Sequence, residues 1–174
     1  CDLSILTVLQ PILRKGKWQV TLAIHSDKTG DAPRITGLWP GFHEAGIFGL
    51  AIDLGSTTVA AHLCDLTSGE VVATSGIMNP QIRFGEDLMS RVSYAMLNSG
   101  GDREMTDAVR AAINVLIDEL AEEASVNTEQ ILEVVFVCNP VMHHLLLGID
   151  PVELGQAPFA LATSESLSFG AQEL

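Results

Sequence analysis

From residue 47 onward, apolar and polar positions alternate in blocks that predict a sheet followed by helices. Three short apolar runs, at residues 47–53, 57–65 and 71–75, predict a three-stranded meander. Thr67-Ser68-Gly69-Glu70 has the composition of a tight turn between the second and third runs. The first run is almost continuously apolar, which favours a strand at the centre of a sheet that is covered on both faces.

After residue 80, apolar residues recur every three to four positions, as in amphipathic helices. We predict a helix over residues 86–97, then a second helix that Asp102 caps and that ends near residue 124. The apolar stripe of this second helix consists of Met105, Val109, Ala112, Leu116, Leu120 and Ala124. Residues 133–138 predict a further buried strand, and residues 141–147 predict a short helix. The stretch 149–174 is rich in loops.

Residues 1–46 have a different pattern and are interpreted as a small β-rich middle or linker module. Residues 5–13 and 18–24 predict two strands joined by a turn. Residues 26–33 predict a polar loop, and Trp39-Pro40-Gly41 is typical of a turn. We therefore predict a domain boundary near residue 46.

Composition excludes several classes of function. The 174 residues are 47% hydrophobic, with a formal net charge of −13, and nucleic acid is a poor partner for so acidic a chain. Much of the acid, Asp118, Glu119, Glu122 and Glu123, is interpreted as the solvated side of a helix. No apolar stretch approaches the roughly 18 residues of a membrane span, and there is no secretory signal. A chain that begins with Cys1 rather than Met also indicates a piece of a longer protein.

Three cysteines, Cys1, Cys64 and Cys138, are far apart in the sequence. Their spacing matches neither a CxxC motif nor an iron–sulfur site. Cys64 and Cys138 lie in predicted strands, which favours a role as small buried residues. Cysteines without a pairing pattern are typical of a reducing cytoplasm, where we expect this protein.

The hairpin between the first two predicted strands carries the candidate chemistry. Asp53 ends an apolar run, and Gly55 is followed by three hydroxyl residues, Ser56, Thr57 and Thr58. Their amides and hydroxyls suit a polyanion that the backbone approaches closely at Gly55. Asp53 is placed to hold hydrated Mg²⁺ near the same phosphates. The turn is neither a P-loop nor a Rossmann turn, and an ordinary hairpin remains the alternative to a nucleotide phosphate site.

Three segments together resemble one family. Asp53-Leu54-Gly55-Ser56-Thr57-Thr58 resembles the first phosphate motif of the superfamily of acetate and sugar kinases, actin and heat-shock chaperones. Two longer segments resemble the reductive activators of corrinoid proteins: Asn79-Pro80-Gln81-Ile82-Arg83-Phe84-Gly85-Glu86-Asp87 and Asn139-Pro140-Val141-Met142-His143-His144-Leu145-Leu146-Leu147-Gly148. The resemblance covers residues 47–174, and residues 1–46 resemble that family's middle region.

The resemblance implies an α/β subdomain of the ribonuclease-H-like, actin-like ATPase class, with a mixed sheet flanked by helices. It implies a protein that uses ATP and Mg²⁺ to return Co(II) corrinoid proteins of methyltransferase systems to Co(I). The electron passes through an iron–sulfur cluster, which we expect in a domain outside this chain. By this resemblance Asp53 is the catalytic, Mg²⁺-side carboxylate, and the phosphate loop is formed by Gly55, Ser56, Thr57 and Thr58. The chain has no second such loop, so we expect the second subdomain to be missing and this piece alone to be inactive.

The remaining polar residues leave alternatives open. Asp87 is expected to stabilise a helix N-terminus, whereas Glu86 has that role or contacts Mg²⁺ or the corrinoid protein. Arg83 is expected to pair with Glu86 at the surface, and the alternative is a contact to phosphate. Asn139 either caps a turn or faces a ligand at the carboxyl end of a strand.

The histidines are interpreted as structural. His143 and His144 are adjacent on a predicted helix and point about 100° apart, which does not suit chelation of one metal ion. A core or hydrogen-bonded role is therefore expected for both. His62 lies in a predicted strand and is expected to have a structural role as well.

Two other functions stay open. A small-molecule kinase of the same superfamily would need a catalytic Asp on a sugar-binding loop, and the chain offers no convincing candidate. A non-enzymatic interaction module would dock a corrinoid protein or form a homodimer. This last function is favoured by the expected absence of the second half, since an open apolar face would bind a partner.

Overall fold

The computed structural model describes residues 3–26 and 32–170. The chain divides into two compact units, Cys1–Ile47 and Phe48–Leu174. No helix among the described residues combines the length and the apolar character needed to cross a membrane.

The first unit consists of a helix followed by a two-stranded hairpin. The helix is α1 (Leu3–Lys15), and the strands are β1 (Val20–His25) and β2 (Arg34–Pro40). The strands are antiparallel, and α1 packs against β2. Part of the predicted polar loop, residues 27–31, lies outside the described residues.

Two predictions for the first unit are wrong. The segment predicted as a strand at residues 5–13 belongs to α1. Its half-buried residues Ile5, Leu9 and Ile12 are four and three positions apart, which is the spacing of one helix face. The predicted turn at Trp39-Pro40-Gly41 is instead the end of β2, and only Gly41, with φ of 70°, leaves the strand.

The second unit contains a four-stranded mixed sheet. Its first three strands, β3 (Phe48–Leu54), β4 (Thr58–Asp65) and β5 (Val71–Met78), form an antiparallel meander. The fourth strand, β6 (Ile131–Cys138), pairs in parallel with β3, so the strand order is β5-β4-β3-β6. The predicted meander and the predicted strand at residues 133–138 are therefore confirmed.

Helices connect β5 to β6 and follow β6. They are α2 (Leu88–Leu97), α3 (Gly101–Glu123) and α4 (Pro140–Leu147), with 3₁₀ turns at Pro80–Arg83, Thr128–Gln130 and Val152–Gly155. These three helices confirm the prediction of helices from the spacing of apolar residues. The stretch from residue 149 to 170 is otherwise irregular, as predicted.

The core of this unit lies between the sheet and α3. From α3, the fully buried residues are Met105, Val109, Leu116 and Leu120, which confirms four of the six positions of the predicted stripe. The other two, Ala112 and Ala124, are only partly buried. From the sheet, the buried residues include Leu50, Ile52, Leu54, Val59, Ala61 and Leu63. The acidic residues of α3 that the sequence assigned to solvent are all exposed.

The other face of the sheet is uncovered in the described residues, contrary to the prediction that β3 and β6 are buried. We call it the open face, and its exposed residues include Ala51, Asp53, His62, Thr74, Gly76, Val135 and Val137. Val135 and Val137 are 51% and 67% exposed. The residues that β3 contributes to this face are small or charged, so an apolar run did not require burial on both sides.

The predicted cap of α3 is also wrong. The helix begins after Gly100, which has φ of 84°, and no side chain caps it. Asp102 lies in the first turn, and its carbonyl accepts a hydrogen bond from Thr106 Oγ1 at 3.0 Å. Gly101 is packed so closely that an added Cβ would lie 2.9 Å from the Tyr94 ring. The tight connection between α2 and α3 therefore starts the helix one residue before the predicted cap.

Candidate phosphate-binding site

Of the four residues predicted to bind phosphate, Gly55, Ser56 and Thr57 form the turn between β3 and β4, and Thr58 begins β4. We restrict the name phosphate loop to the three turn residues. The Gly55 N–H donates to the carbonyl of Thr58 at 3.0 Å. A Cβ at Gly55 would lie 2.7 Å from the same carbonyl oxygen. The turn therefore requires glycine because of this close approach of two backbone segments.

All three carbonyls of the phosphate loop are bound from one side. Asn79 Nδ2 donates to the Gly55 carbonyl at 2.8 Å, and the Asn79 N–H donates to the Thr57 carbonyl at 2.8 Å. The Ser56 carbonyl accepts a hydrogen bond from Arg91 Nη2. Asn79 and Arg91 are both 0% exposed. The loop is thus held from behind by the protein interior.

The amide groups of the loop point the other way. In a trans peptide, the N–H of one residue is directed opposite to the carbonyl of the preceding residue. The N–H groups of Ser56 and Thr57 are therefore directed away from the buried side. Neither has a hydrogen-bond acceptor among the residues that the structure describes. Two adjacent amide donors with a common direction form an arrangement that suits an anion.

Asp53 lies beside the loop on the open face. It is exposed, and its neighbours in register are Ala60 on β4 and Val137 on β6. Within residues 3–26 and 32–170, its carboxylate makes no hydrogen bond or ion pair. The same residues contain no group of three or more His, Cys, Asp or Glu side chains that could hold a metal ion. A single free carboxylate fits hydrated Mg²⁺ whose direct ligands would be water and phosphate oxygens.

Behind the loop lies a buried polar cluster of Asn79, Gln81 and Arg91, all 0% exposed. The Gln81 N–H donates to Asn79 Oδ1, and Gln81 Nε2 donates to the carbonyl of Met105, each at 2.9 Å. Arg91 Nη1 donates to Gln81 Oε1 at 3.3 Å. The cluster therefore connects the loop to α2 and α3.

Sequence reasoning did not identify this cluster as part of the site. One signal was present, because Arg91 follows Leu88 by three positions and precedes Val92 on the apolar side of α2. A charged residue at such a position is unusual unless it has buried partners. Those partners come from distant segments, so the sequence pattern alone did not name them.

Cys138 lies at the end of β6, opposite Leu54. Burial raises the pKa of the Cys138 thiol, and the negative charge of Asp53 raises it further. Cys64 and Cys138 are both free and only partly buried, so the prediction of buried thiols holds in part. Cys1 lies outside the described residues.

Asp87 and Asn139 are helix caps, as expected for Asp87 and as one alternative for Asn139. Asp87 Oδ1 accepts from the Ser90 N–H at 2.7 Å, and this hydrogen bond lowers the pKa of the Asp87 carboxyl. Asn139 Oδ1 accepts from the Met142 N–H at 3.0 Å at the start of α4.

The predicted surface pairing of Arg83 with Glu86 is wrong. The Arg83 guanidinium lies over the Phe84 ring at 4.6 Å from its centroid. Among the described residues it forms no ion pair with Glu86, whose side chain is exposed. A cation–π contact replaces the expected pair because the adjacent aromatic face is within reach. The phosphate alternative for Arg83 and the role of Glu86 stay open.

His144 is a buried, hydrogen-bonded residue, as predicted. Its Nδ1 lies 2.7 Å from the Pro140 carbonyl, and its Nε2 accepts from the Ala162 N–H at 3.1 Å. These contacts require the neutral tautomer with the proton on Nδ1. Burial lowers the pKa of the His143 imidazole, and the adjacent His144 lowers it further. On the open face, His62 Nδ1 lies 3.0 Å from Thr74 Oγ1.

Comparison with known proteins identifies the family. Residues 48–174 match the family model of the RACo middle region, and residues 1–45 match the RACo linker region. The chain belongs to the RACo family. The family predicted from the three sequence segments is thereby confirmed. The resemblance of residues 1–46 to the middle region is wrong, because the middle region is residues 48–174 and the residues before it match the linker region.

Two relatives are much longer than this chain. The corrinoid activation enzyme RamQ of Eubacterium limosum is 34% identical over 125 residues, which are 72% of this chain and 21% of RamQ. A solved structure of a reductive activator for corrinoid, iron-sulfur protein matches with a TM-score of 0.81 and 37% identity, over 92% of this chain and 25% of that one. The chain thus spans a quarter or less of these relatives. The structural match confirms the predicted α/β fold class of the actin-like ATPase type.

Proposed function

We propose that this chain forms one half of a Mg²⁺–ATP site in a RACo-family protein that reactivates corrinoid proteins. The observation that carries the proposal is the phosphate loop, where the Ser56 and Thr57 N–H groups share one direction beside the free carboxylate of Asp53. The names of the two relatives support corrinoid activation as the purpose of the site. The remaining part of the site belongs to polypeptide outside this chain.

In this proposal each residue of the loop has a defined task. The Ser56 and Thr57 N–H groups and the nearby Thr58 hydroxyl bind and orient phosphate oxygens. The Asp53 carboxylate accepts hydrogen bonds from water on the cation and fixes its position. When bound, ATP supplies the free energy for the uphill one-electron reduction of Co(II) to Co(I). Nucleotide bound at the loop favours a closed over an open arrangement of the two halves of the site.

Titration calorimetry with Mg²⁺–ATP on the intact protein tests the nucleotide site. We expect binding by the intact protein and a strong loss of affinity in Asp53→Ala. The matched control is His62→Ala, because His62 lies on the same open face, opposite Ala51, and should bind ATP like the wild type. Unchanged affinity in Asp53→Ala, or no binding by the wild type, contradicts the proposal.

A reduction assay tests the corrinoid role separately. The intact protein, with an electron donor and a Co(II) corrinoid protein, should form Co(I) only when ATP is present. The absorption spectrum of the corrinoid reports the oxidation state directly. Equal reduction without ATP would mean that the nucleotide has another purpose.

A docking role is a second candidate, favoured by the exposure of Val135 and Val137 on the open face. An apolar strand face of this kind is suited to a protein partner or a second copy of the chain. Sedimentation velocity of the chain should then show self-association or complex formation with a corrinoid protein. A clean monomer that binds no such protein rules out this role.

A further inference from the structure

Arg91 is the most deeply buried charged side chain among the described residues, with 0% exposure. An arginine is almost never fully buried without a charged partner, because removing its charge from water is costly. Arg91 has no task in the proposed function. Its burial therefore requires an explanation.

All four hydrogen-bond acceptors of Arg91 are uncharged. Nε donates to the Gly85 carbonyl at 2.9 Å, and Nη2 donates to the Ser56 carbonyl. Nη1 lies 3.3 Å from both Gln81 Oε1 and Met142 Sδ. These contacts satisfy the geometry of the guanidinium but do not neutralise its charge.

No carboxylate contacts this guanidinium within the part of the chain that the structure describes. Asp87 is the acid that acts on it electrostatically, and its carboxylate is engaged in capping α2. Burial lowers the pKa of Arg91, and the charge of Asp87 acts in the opposite direction. An arginine retains its proton in proteins, so a positive charge without a contacting counter-ion lies directly behind the phosphate loop.

The contact between Arg91 and the Ser56 carbonyl links this charge to the front of the loop. The Ser56 carbonyl and the Thr57 N–H belong to one peptide group and point in opposite directions. A cation on the carbonyl side polarises that group and makes the N–H a stronger donor. In the interior, the charge is also weakly screened, so an anion on the open side of the loop experiences it more strongly than in water.

We propose that Arg91 is the electrostatic positioning residue of the phosphate loop, and that its buried charge stabilises a polyphosphate bound in front of Ser56 and Thr57. This inference rests on the proposed function and adds a residue that does not touch the ligand. It predicts that the contribution of Arg91 increases with the charge of the ligand. A residue that only ties α2 to the sheet would instead affect all ligands equally.

The test is calorimetric binding of ATP, ADP and AMP to the intact protein and to Arg91→Met, with Mg²⁺ to establish binding and then in EDTA. In EDTA the negative charge of the free nucleotides falls in the order ATP, ADP, AMP, so the comparison of affinities is made there. We expect ATP affinity to fall by about 10- to 100-fold, the usual range for losing one hydrogen-bonded charged group. The loss should be smaller for ADP and smallest for AMP. Arg91→Lys should recover much of the ATP affinity, since it retains the charge while losing the planar group.

Arg110→Met is the matched control. Arg110 is also partly buried, and its Nε and Nη2 donate to the Leu146 carbonyl at 2.9 and 2.8 Å. Arg110 belongs to α3, and its guanidinium contacts the end of α4 rather than the phosphate loop. Its loss should therefore lower the melting temperature without a graded effect on the three nucleotides. If Arg91→Met does not fold, Arg91→Gln allows the same comparison, because its amide still donates hydrogen bonds.

The outcomes separate this inference from the proposed function. If the wild type binds no ATP, the proposed function fails and the role of Arg91 fails with it. If the wild type binds ATP but the Arg91 variants lose equal affinity for ATP, ADP and AMP, or lose none, only the role of Arg91 is overturned. A loss graded by ligand charge, with recovery in Arg91→Lys, supports both.

Discussion

The two faces of the sheet in the second unit are built from the same strands but have opposite characters. One face consists of large aliphatic side chains that pack against α3 and α4. The open face carries Asp53, His62 and exposed valines beside small residues. The first face provides the stability of the unit, whereas the second carries the candidate chemistry. Substitutions of the same kind should therefore have very different effects on the two faces.

The largest effect is expected for Leu116→Ala on α3. Leu116 is fully buried against the sheet, so truncation should lower the free energy of unfolding by about 3 kcal/mol through lost burial and a residual cavity. Chemical denaturation of the chain measures this. The adjacent Val115 is 54% exposed, and Val115→Ala should change stability by less than about 1 kcal/mol. Similar losses for both would mean that α3 packs by a different face.

A matched pair of valines compares the two faces directly. Val59 in β4 is fully buried, whereas Val137 in β6 is mostly exposed. Both Val→Ala substitutions lower strand propensity by the same amount, so the difference between them reports burial. The free energy of unfolding should fall by roughly 1.5 kcal/mol more in Val59→Ala than in Val137→Ala, because only Val59 loses buried apolar groups. Equal losses in denaturation experiments would show that the open face is covered in solution.

Two glycines provide a smaller contrast. Gly148 ends α4 with φ of 76°, so Gly148→Ala should cost about 1 kcal/mol in the strained left-handed conformation. Gly76, opposite Ala60, has ordinary φ, and an added Cβ would lie no closer than 3.4 Å to the Val59 carbonyl oxygen. Gly76→Ala should therefore be close to neutral by thermal melting. A destabilised Gly76→Ala variant would indicate that something packs against the open face there.

The smallest effect concerns the titration of Cys138. Because burial and then Asp53 raise the pKa of this thiol, less thiolate is present at a given pH than for a free cysteine. Its alkylation by iodoacetamide should accelerate only above the usual thiol range. Asp53→Asn should move the midpoint to lower pH, since it removes one of the two causes. A midpoint that Asp53→Asn leaves unchanged would show that the carboxylate does not act on this thiol.

The sequence predicted the second unit better than the first for a physical reason. In α3 the apolar stripe extends over more than four turns, so one interpretation dominates. In α1 a dense apolar segment of 13 residues fits both strand and helix, and the spacing of Ile5, Leu9 and Ile12 was the deciding feature. The turn between β3 and β4 could be located from the sequence because Asp53, Gly55 and the hydroxyl residues are adjacent in the chain; phosphate binding there stays a prediction.

By itself the sequence determined the order of strands and helices after residue 47, the position of the turn between β3 and β4, and the cap at Asp87. These features depend on residues within one or two turns of each other. Tertiary structure decided which face of the sheet is open and why Arg91 is buried. The partners of Arg91 at Ser56 and Met142 are 35 and 51 positions away, and only the folded chain brings them behind one loop. Hydrogen bonds between residues so far apart in the chain leave no pattern in the local sequence. They form only when the whole core folds and overcomes the entropy cost of bringing the distant segments together.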